Sequence, residues 1–402
     1  MSAQILARRI AGVKPPATRE MTRLGNELAR AGRSIISLAQ GEPDFDTPKH
    51  IREAGKAAID AGKTRYTDVP GTRELAAAVI RKFQRDHGLE FTHEQITIGV
   101  GSKQILYNAL QATVDPGDEV LVPTPAWVSY MDMVTLAGGT PVILRCPAEQ
   151  GFKVTPEQVE RAITPRTKWL MLNSPSNPSG AEYTREELVA IAEVLARHPH
   201  VWFMSDDIYE KIRYRDEPYP TMAVVVPQLA SRCLTINGVS KAFAMTGWRC
   251  GYGAGPAALI RAVNLVQGQS VSHTSSVTQA AAVAALDGPM DFLPPFVAAY
   301  RRRRDLVVTA MRGIEGLSCT VPDGAFYVFP GCQALLGRTS PKGRKIETDL
   351  DLCMYFLEDA GVALVPGSAF ELPGHFRISY AASDAELDEG MKRLVKACAE
   401  LQ

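Results

Sequence analysis

Short, continuously apolar runs recur through the first two thirds of the chain, and segments with helical periodicity separate them. The runs predict strands at Glu119–Pro123, Lys168–Leu172, Val201–Met204 and Cys233–Ile236. Helical patterns lie between them, for example at Lys103–Thr113 and Arg185–Arg197. Strands that are apolar at every position are covered on both faces, so this alternation predicts an α/β domain whose mostly parallel sheet is sandwiched by helices.

The pattern changes near residue 300. A long helix is predicted at Ala299–Ile314, and the segment Gly324–Phe329 and a helix near Asp351–Ala360 follow it. A strand around Phe376–Tyr380 and a terminal helix complete the chain. This mixture of short strands and helices predicts a second, smaller α+β lobe.

Composition narrows the functional classes. The 402 residues include 44 basic and 44 acidic side chains, so no charge excess favours nucleic acid or a membrane as a partner. The seven cysteines form no Cys-x-x-Cys pair, a pattern typical of reduced thiols in a cytoplasmic enzyme and not of a metal site. No apolar stretch is long enough to cross a bilayer. The dense basic run Arg301–Arg304 lies in a helical pattern, and we expect a solvated or ion-paired helix face there.

One segment, Gly238–Arg249, combines an amine and a guanidinium in apolar surroundings. Apolar neighbours disfavour the charged form of Lys241, and a neutral amine can form a Schiff base. Arg249, eight residues later, offers a planar fork of donors suited to phosphate. The combination suggests pyridoxal phosphate, although an exposed lysine and a structural arginine in a loop would give the same local pattern.

Further motifs occur in a fixed order around this segment. They are Gly41-Glu42-Pro43-Asp44-Phe45, Gly101-Ser102-Lys103, Pro125-Ala126-Trp127, Asn173–Gly180, Met204–Glu210 and Phe376–Tyr380. In this order the chain resembles the fold-type-I, pyridoxal-phosphate-dependent aminotransferases of class I/II, most closely the bacterial branch of aspartate aminotransferases, over nearly its whole length. The resemblance implies a large cofactor domain at residues 49–300, and a small domain made of residues 1–48, with an N-terminal arm, and 301–402.

The resemblance also implies roles for the polar residues at the predicted strand ends. Lys241 would anchor the cofactor and act as the general base. Asp206 would lie against the pyridine nitrogen, and the adjacent Asp207 is its rival for that role. Tyr209 and Asn177 would hydrogen-bond the phenolic oxygen, although Asn177 also suits a structural Asn-Pro turn.

The phosphate would bind where Gly101-Ser102-Lys103 begins a helix, because the first N–H groups of a helix attract anions. A glycine–serine helix start is also common as a simple N-cap. Arg249 would complete this site, and Tyr66 would reach it from the neighbouring subunit of a homodimer. The chain departs from the family at Gly238, where a hydroxyl residue is frequent.

Substrate residues follow from the same resemblance. Trp127 would stack on the ring, although a core tryptophan is the alternative. Arg377 would grip the α-carboxylate through two parallel hydrogen bonds. Gly41 would let the backbone approach that group closely.

The second substrate carboxylate would be bound by Lys103, with help from Thr18 in the N-terminal arm. Pro16 stands where the family usually has serine, and a missing hydrogen bond there would shift preference toward neutral amino acids. His273 is also unusual, and we expect a surface or interface residue.

These expectations together describe a cytoplasmic homodimer with shared active sites that transfers an amino group between L-aspartate and 2-oxoglutarate in two half-reactions. Aromatic or other neutral amino acids are the alternative substrates, and a C–S lyase, racemase or decarboxylase is the alternative chemistry on the same scaffold. A non-catalytic cofactor-binding regulator is a further alternative, but no basic helix-turn-helix segment precedes Gly41.

Overall fold

The computed structural model describes residues 7–13 and 17–402, with the backbone alone for residues 8 and 17–19. Its strands belong to one large sheet and two small ones. In chain order the strands are β1 (Ile36–Ser37), β2 (Ile96–Gly99), β3 (Glu119–Thr124), β4 (Thr140–Arg145), β5 (Thr167–Asn173), β6 (Trp202–Asp206), β7 (Cys233–Gly238), β8 (Gly251–Ala254), β9 (Tyr327–Val328), β10 (Val362–Ala363), β11 (Val365–Pro366) and β12 (Phe376–Ser379).

Helices cover both faces of the large sheet and surround the small ones. In chain order they are α1 (Ala17–Arg30), α2 (Lys49–Asp60), α3 (Arg73–His87), α4 (Ser102–Thr113), α5 (Ser129–Leu136), α6 (Pro156–Ala162), α7 (Arg185–Arg197), α8 (Met222–Val225), α9 (Ala257–Ser270), α10 (Ser276–Asp287), α11 (Leu293–Arg312), α12 (Asp349–Tyr355) and α13 (Asp384–Ala399). A π-helical turn, Phe356–Ala360, continues α12.

The large sheet has seven strands in the order β2-β8-β7-β6-β5-β3-β4. Only β8 runs antiparallel to its neighbours, and the remaining pairs in this sheet are parallel. The four strands predicted from apolar runs are all present, with ends that differ by one or two residues. The predicted α/β architecture with a mostly parallel sheet is therefore confirmed.

Alternate side chains of one strand pack on opposite faces of this sheet. On β5, Leu170 and Leu172 contact the apolar face of α7, whereas Trp169 and Met171 belong to the core beneath α4. Each large side chain buried in this way stabilises the fold by about 1.5–3 kcal/mol. Burial on both faces explains why the strand sequences show no alternation of polar and apolar residues.

The smaller lobe combines the three-stranded sheet β11-β12-β9 with the parallel pair β1 and β10. A short extended segment after β1, Leu38–Gly41, runs from this lobe toward the large sheet, and we call it the strap. The N–H of Leu38 donates to Ala363 at 3.0 Å, and its carbonyl accepts from Ser379 at 2.9 Å. The strap is thereby fixed to two small-lobe strands.

Helix α11 differs from its prediction at its start. It begins at Leu293, six residues before the expected start at Ala299, because two prolines occupy its first turn, where a missing N–H costs nothing. The predicted domain boundary at residue 300 therefore lies within this helix. The basic run Arg301–Arg304 was expected to be solvated or ion-paired, and Arg303 is buried and ion-paired with Asp44 and Asp384.

Within residues 7–13 and 17–402, no helix is both long and apolar enough to cross a membrane. The same residues hold no group of three or more His, Cys, Asp or Glu side chains arranged to bind a metal ion. All seven cysteines are free thiols.

Candidate active site

The polar residues singled out from the sequence gather at one edge of the large sheet. Ser102 follows β2, Trp127 follows β3, Asn177 follows β5, Asp206 ends β6 and Lys241 follows β7. These five strands run in the same direction, so their carboxyl ends meet. A cavity of about 790 Å³ opens there, and its lining includes Gly41, Gly101, Ser102, Lys103, Trp127, Lys241 and Arg249.

Lys241 extends its amine toward the strap, where Nζ donates to the Gly41 carbonyl at 2.6 Å. Burial lowers the pKa of this amine to about 8, and the positive charge of Arg377 acts in the same direction. A substantial fraction of the amine is therefore neutral near pH 8, the form that can attack a carbonyl carbon.

Asp206 is buried at the end of β6, and its Oδ2 accepts a hydrogen bond from the Tyr130 hydroxyl at 2.6 Å. Burial raises the pKa of Asp206 to about 6, although the Tyr130 hydroxyl opposes that rise. The neighbouring Asp207 uses its two oxygens to accept from the Ser205 and Thr221 hydroxyls, at 2.6 and 2.7 Å. The two carboxylates therefore have separate surroundings, and Asp206 is the one whose pKa responds to the charge of Lys241.

Arg377 is buried beneath the cavity, where Nη1 donates to Asn177 Oδ1 at 2.9 Å and Nη2 donates to the Ala39 carbonyl at 2.5 Å. Its guanidinium lies 4.5 Å from the centre of the Tyr327 ring. Its Nε–H has no partner among the described residues. A buried guanidinium with an unused donor indicates a site for an anion.

Tyr209 donates to or accepts from Tyr327, with 2.8 Å between the hydroxyl oxygens. Burial raises the pKa of Tyr209 well above its ordinary value, so the hydroxyl stays protonated. Among the described residues, Asn177 accepts from Arg377 and Tyr209 contacts Tyr327, and the expected role of Tyr209 and Asn177 toward the phenolic oxygen of the cofactor stays a prediction.

Backbone and guanidinium donors meet at the start of α4. Gly101 precedes the helix with φ +84°, and a Cβ there would lie 2.6 Å from Arg249 Nη2. A Cβ on Gly251 of β8 would lie 2.2 Å from the Ser102 nitrogen. Arg249 is held by carbonyls, with Nη1 donating to Thr246 at 3.0 Å. The N–H groups of the first helical turn and one guanidinium thus form a compact anion site, which we call the phosphate corner.

Comparison with known proteins assigns this arrangement to a family. The family model described as "Aminotransferase class I and II" matches residues 33–394. The chain belongs to the class I and II aminotransferases. It is 53% identical to the aspartate aminotransferase of Rhizobium meliloti, over 95% of this chain and 94% of that protein. It is 54% identical to the aspartate/prephenate aminotransferase of Cereibacter sphaeroides, over 98% of each chain.

Solved structures agree with the aminotransferase assignment. The crystal structure of the Rhizobium meliloti aspartate aminotransferase superposes with a TM-score of 0.96, at 51% identity and 99% coverage of both chains. The Thermus thermophilus aspartate aminotransferase with maleate gives a TM-score of 0.91 at 41% identity, covering 98% of this chain and 99% of that one. The fold is therefore that of the fold-type-I aminotransferases.

The wall of the aminotransferase cavity includes an aromatic ring and a cation in contact. Trp127 is half-buried, and the Lys103 ammonium lies 4.6 Å from the centre of its ring. The ring also meets Tyr130 edge-on at 5.5 Å between centroids. Such a ring can cover one face of a flat ligand, and the ammonium places a positive charge beside it.

Two of the residues named from the family resemblance lie away from this cavity. Tyr66 is 93% exposed between α2 and α3, where its ring meets His273 edge-on at 5.7 Å. His273 is half-buried; it accepts from the Thr67 N–H at 3.2 Å, and its Nδ1 lies 2.7 Å from the Thr274 carbonyl. Thr18 falls in the first turn of α1, but its side chain lies outside the described part of the chain, as does all of Pro16.

The Gly238 departure from the family has a packing reason. A Cβ at this position would approach the Cys250 carbonyl to 3.1 Å, and both the Gly251 Cα and the Ile208 side chain to 3.2 Å. A side chain at this position would therefore require its neighbours to shift by a few tenths of an ångström. The phosphate corner gains no side-chain donor from this position.

Sequence reasoning missed Tyr130 and Tyr327. Tyr130 follows Trp127 by three residues, and that aromatic spacing at a strand end was the available signal. Tyr327 lies within the singled-out segment Gly324–Phe329, but its role depends on contact with Tyr209, 118 residues away in sequence. Local sequence carries no signal for such a contact.

Proposed function

We propose that this aminotransferase uses pyridoxal phosphate to exchange an amino group between L-aspartate and 2-oxoglutarate by a ping-pong mechanism. The observation that carries the proposal is the amine of Lys241, whose pKa is lowered to about 8 in a cavity that also holds a phosphate corner. The names of the relatives, aspartate aminotransferase and aspartate/prephenate aminotransferase, support the choice of substrate.

The residues fit the cofactor in three places. Gly101 and Gly251 lie so close to Arg249 and Ser102 that neither position has room for a side chain. The backbone N–H groups and the guanidinium can therefore face a phosphate. Lys241 offers the amine that would hold the aldehyde, and Asp206 offers a buried carboxylate for the ring nitrogen. Tyr209 would reach the phenolic oxygen, and Asn177 would donate to it through Nδ2, because the bond with Arg377 uses Oδ1.

The chain's own groups would perform distinct tasks. When bound, pyridoxal phosphate supplies an electron-withdrawing ring that stabilises negative charge at the substrate Cα. Nζ of Lys241 would remove the Cα proton, because its lowered pKa keeps part of it neutral. Arg377 would orient the substrate by its α-carboxylate, and Trp127 would exclude water from one face of the cavity.

The second carboxylate of aspartate has a candidate partner in Lys103. Its ammonium borders the same cavity as Lys241 and lies over Trp127. An ammonium at the cavity wall favours an acid over a neutral side chain by charge attraction. We therefore propose Lys103 as the dicarboxylate-selecting residue, with Thr18 of the arm as its helper.

Prephenate is a second candidate for the amino acceptor. The Cereibacter sphaeroides relative, 54% identical along nearly the whole chain, carries that substrate in its name. Prephenate is also a dicarboxylate, so Arg377 and Lys103 would serve it in the same way. A cavity of about 790 Å³ has room for its ring.

A donor–acceptor panel tests the substrate proposal. Purified protein is loaded with pyridoxal phosphate, and its visible absorbance is followed while single amino acids and then single 2-oxo acids are added. We expect aspartate to bleach the band and 2-oxoglutarate or prephenate to restore it, with no such cycle in Lys241→Ala. Bleaching by phenylalanine without any response to aspartate would refute the dicarboxylate assignment. A wild-type protein without a visible band would refute the cofactor.

The assembly and the location are part of the same proposal. We propose a homodimer in which the exposed Tyr66 of each subunit completes the phosphate corner of the other. A cytoplasmic location is proposed from the seven free thiols, which suit a reducing compartment.

A further inference from the structure

Behind the candidate active site lies a buried charged cluster that none of the roles above uses. Side chains at the end of β6 and in the turn after it point in different directions: Asp206 and Tyr209 belong to the site, whereas Glu210 points toward α3. There Lys82 Nζ lies 2.5 Å from Glu210 Oε1, and His87 Nε2 lies 2.7 Å from Glu210 Oε2.

The cluster is closed to solvent and nearly balanced in charge. The side chains of Lys82, His87 and Glu210 are each 2–4% exposed, and Lys82 Nζ lies 3.1 Å from His87 Nε2. Asp86 and Lys211 flank the cluster, with 2.8 Å between their charged atoms. Burial alone would raise the pKa of Glu210, but Lys82, His87 and Lys211 reverse the effect and hold it well below its ordinary value.

Stability alone does not explain this cluster. Desolvation of a buried ion pair offsets most of its attraction, so an apolar pair of similar volume is often as stable. In some proteins a buried polar or ionic group fixes the relative position of the elements that carry it. Here those elements are α3 and the turn from Asp207 to Ile212, which lies outside any strand or helix.

A second contact links the cluster to the loop that carries Asn177. Tyr219 packs 6.1 Å from the His87 ring, and its hydroxyl donates to the Ser174 carbonyl at 2.6 Å. The end of α3 therefore contacts, through side chains, the two turns that present Asn177 and Tyr209 to the cavity.

We propose that Lys82 is a positioning residue, which acts through Glu210 to set where Tyr209 and Asp206 stand relative to the cofactor. The inference rests on the proposed function of the site. Lys82 and His87 of α3 do not line the site. The inference therefore gives α3 control, from outside the site, over the placement of two cofactor-facing side chains.

The decisive variant removes both charges together. Lys82→Met/Glu210→Gln keeps the side-chain volumes and leaves no unpaired charge, so the thermal unfolding midpoint is expected to stay near that of the wild type. We expect the pKa read from the visible absorbance of bound pyridoxal phosphate to shift by about half a pH unit, because the Tyr209 hydroxyl moves. We also expect kcat/KM for aspartate to fall about tenfold, as small misplacements of catalytic groups cost rate.

Glu210→Asp is the second variant, for the case in which the double variant does not fold. It keeps the charge and shortens the side chain, so it pulls the turn toward α3 and should shift the same absorbance pKa. Glu119→Gln is the matched control, because Glu119 is another buried, ion-paired glutamate but lies at the start of β3, the opposite edge of the sheet. We expect it to change thermal stability without changing the absorbance pKa.

Variants of Lys82 and Glu210 that match the wild type in absorbance pKa and in kcat/KM would overturn the inference, whatever their stability. Hydrogen–deuterium exchange of residues 206–212 in cofactor-free protein gives a separate reading. Exchange of these residues that is faster in the double variant than in Glu119→Gln would support the positioning role of Lys82. This measurement does not need bound cofactor. It therefore stands even if the wild type binds no pyridoxal phosphate, a result that would refute only the proposed function. Unchanged exchange would overturn the positioning role of Lys82.

Discussion

At the scale of single residues, the pairing of Asp206 with Tyr130 decides the charge of the site. Burial pushes this carboxyl toward its neutral form, and the Tyr130 hydroxyl pulls it back. With a pKa of about 6, Asp206 is mostly ionised at neutral pH but not by a wide margin. One hydrogen bond therefore controls whether the carboxylate is available to a cationic ring nitrogen.

Replacing this tyrosine tests that control. Tyr130→Phe removes a bond that favours the ionised form, so the pKa of Asp206 should rise further above about 6. Activity that requires the carboxylate is lost as pH falls through that pKa, so the acid limb of the kcat profile should move to higher pH by about one unit. Steady-state kinetics between pH 5 and pH 8 measure the shift.

Tyr355→Phe is the control for this variant. The Tyr355 hydroxyl is also buried and donates to the Ala397 carbonyl at 3.0 Å, but it lies in the smaller lobe. Its removal should leave the acid limb in place. An unmoved limb in Tyr130→Phe would mean that another group sets the acid side of the profile.

Sequence could predict which residues gather at this site but not how they pair. Asn177, Asp206 and Lys241 follow predicted strands, and the rule for parallel sheets was enough to bring them together. The partner of Asn177 is Arg377, 200 residues away, and no local pattern encodes such a hydrogen bond. The roles of these residues toward the cofactor remain predictions.

At the scale of elements, the start of α4 rests directly on β8. The contact exists because Gly251 has no side chain, which lets the backbone approach Ser102. This packing holds the first turn of the helix where the phosphate corner needs it.

Gly251→Ala should therefore weaken cofactor binding. Its methyl group would overlap the Ser102 nitrogen, so the helix start must move away. We expect the Kd for pyridoxal phosphate to rise about tenfold or more, since charge-assisted hydrogen bonds are sensitive to geometry. Titration of the visible band measures it, and pyridoxal, which lacks the phosphate, should lose much less affinity.

Gly247→Ala is the matched control, because nothing lies within 4 Å of a Cβ at that position, only two residues before Arg249. Equal losses in the two variants, or equal losses with pyridoxal, would show that the α4–β8 contact does not act through the phosphate.

Element ends were predictable where capping chemistry is local. Helix α7 was predicted with its exact bounds, Arg185–Arg197, and Thr184 forms a capping box with Glu187. Helix α11 was predicted at Ala299–Ile314, but it begins at Leu293, because the first helical turn accepts Pro294 and Pro295. Its true start depends on how the turn packs, which local propensity does not decide.

At the scale of the whole molecule, the proposed homodimer has Tyr66 of each subunit binding the phosphate in the other subunit. One subunit alone would then have an incomplete phosphate corner. The 93% exposure of Tyr66 leaves its ring free for a contact between subunits. A shared site predicts complementation between two chains that each carry a different defect in it. We therefore expect a mixture of Lys241→Ala and Tyr66→Phe subunits to contain one wild-type site in each hybrid dimer.

Subunit exchange measures this outcome. The Kd for pyridoxal phosphate of that one site should match the wild type, whereas Tyr66→Phe homodimers bind more weakly because a phosphate donor is missing. Tyr107→Phe, a change on a different element, serves as the control partner for Lys241→Ala. Hybrids that bind no better than Tyr66→Phe homodimers would show that each subunit completes its own site.

The strap has a consequence for how the lobes communicate. Leu38 ties it to two strands of the smaller lobe, while the Ala39 and Gly41 carbonyls accept from Arg377 and Lys241. Because Arg377 lies on β12 of the same lobe, a movement of the smaller lobe relative to the large sheet would alter the contact between Gly41 and Lys241 and leave the contact between Ala39 and Arg377 intact. A movement between the lobes is therefore transmitted to the amine through the backbone of the strap, at a glycine where a Cβ would lie 2.5 Å from the Tyr327 hydroxyl oxygen.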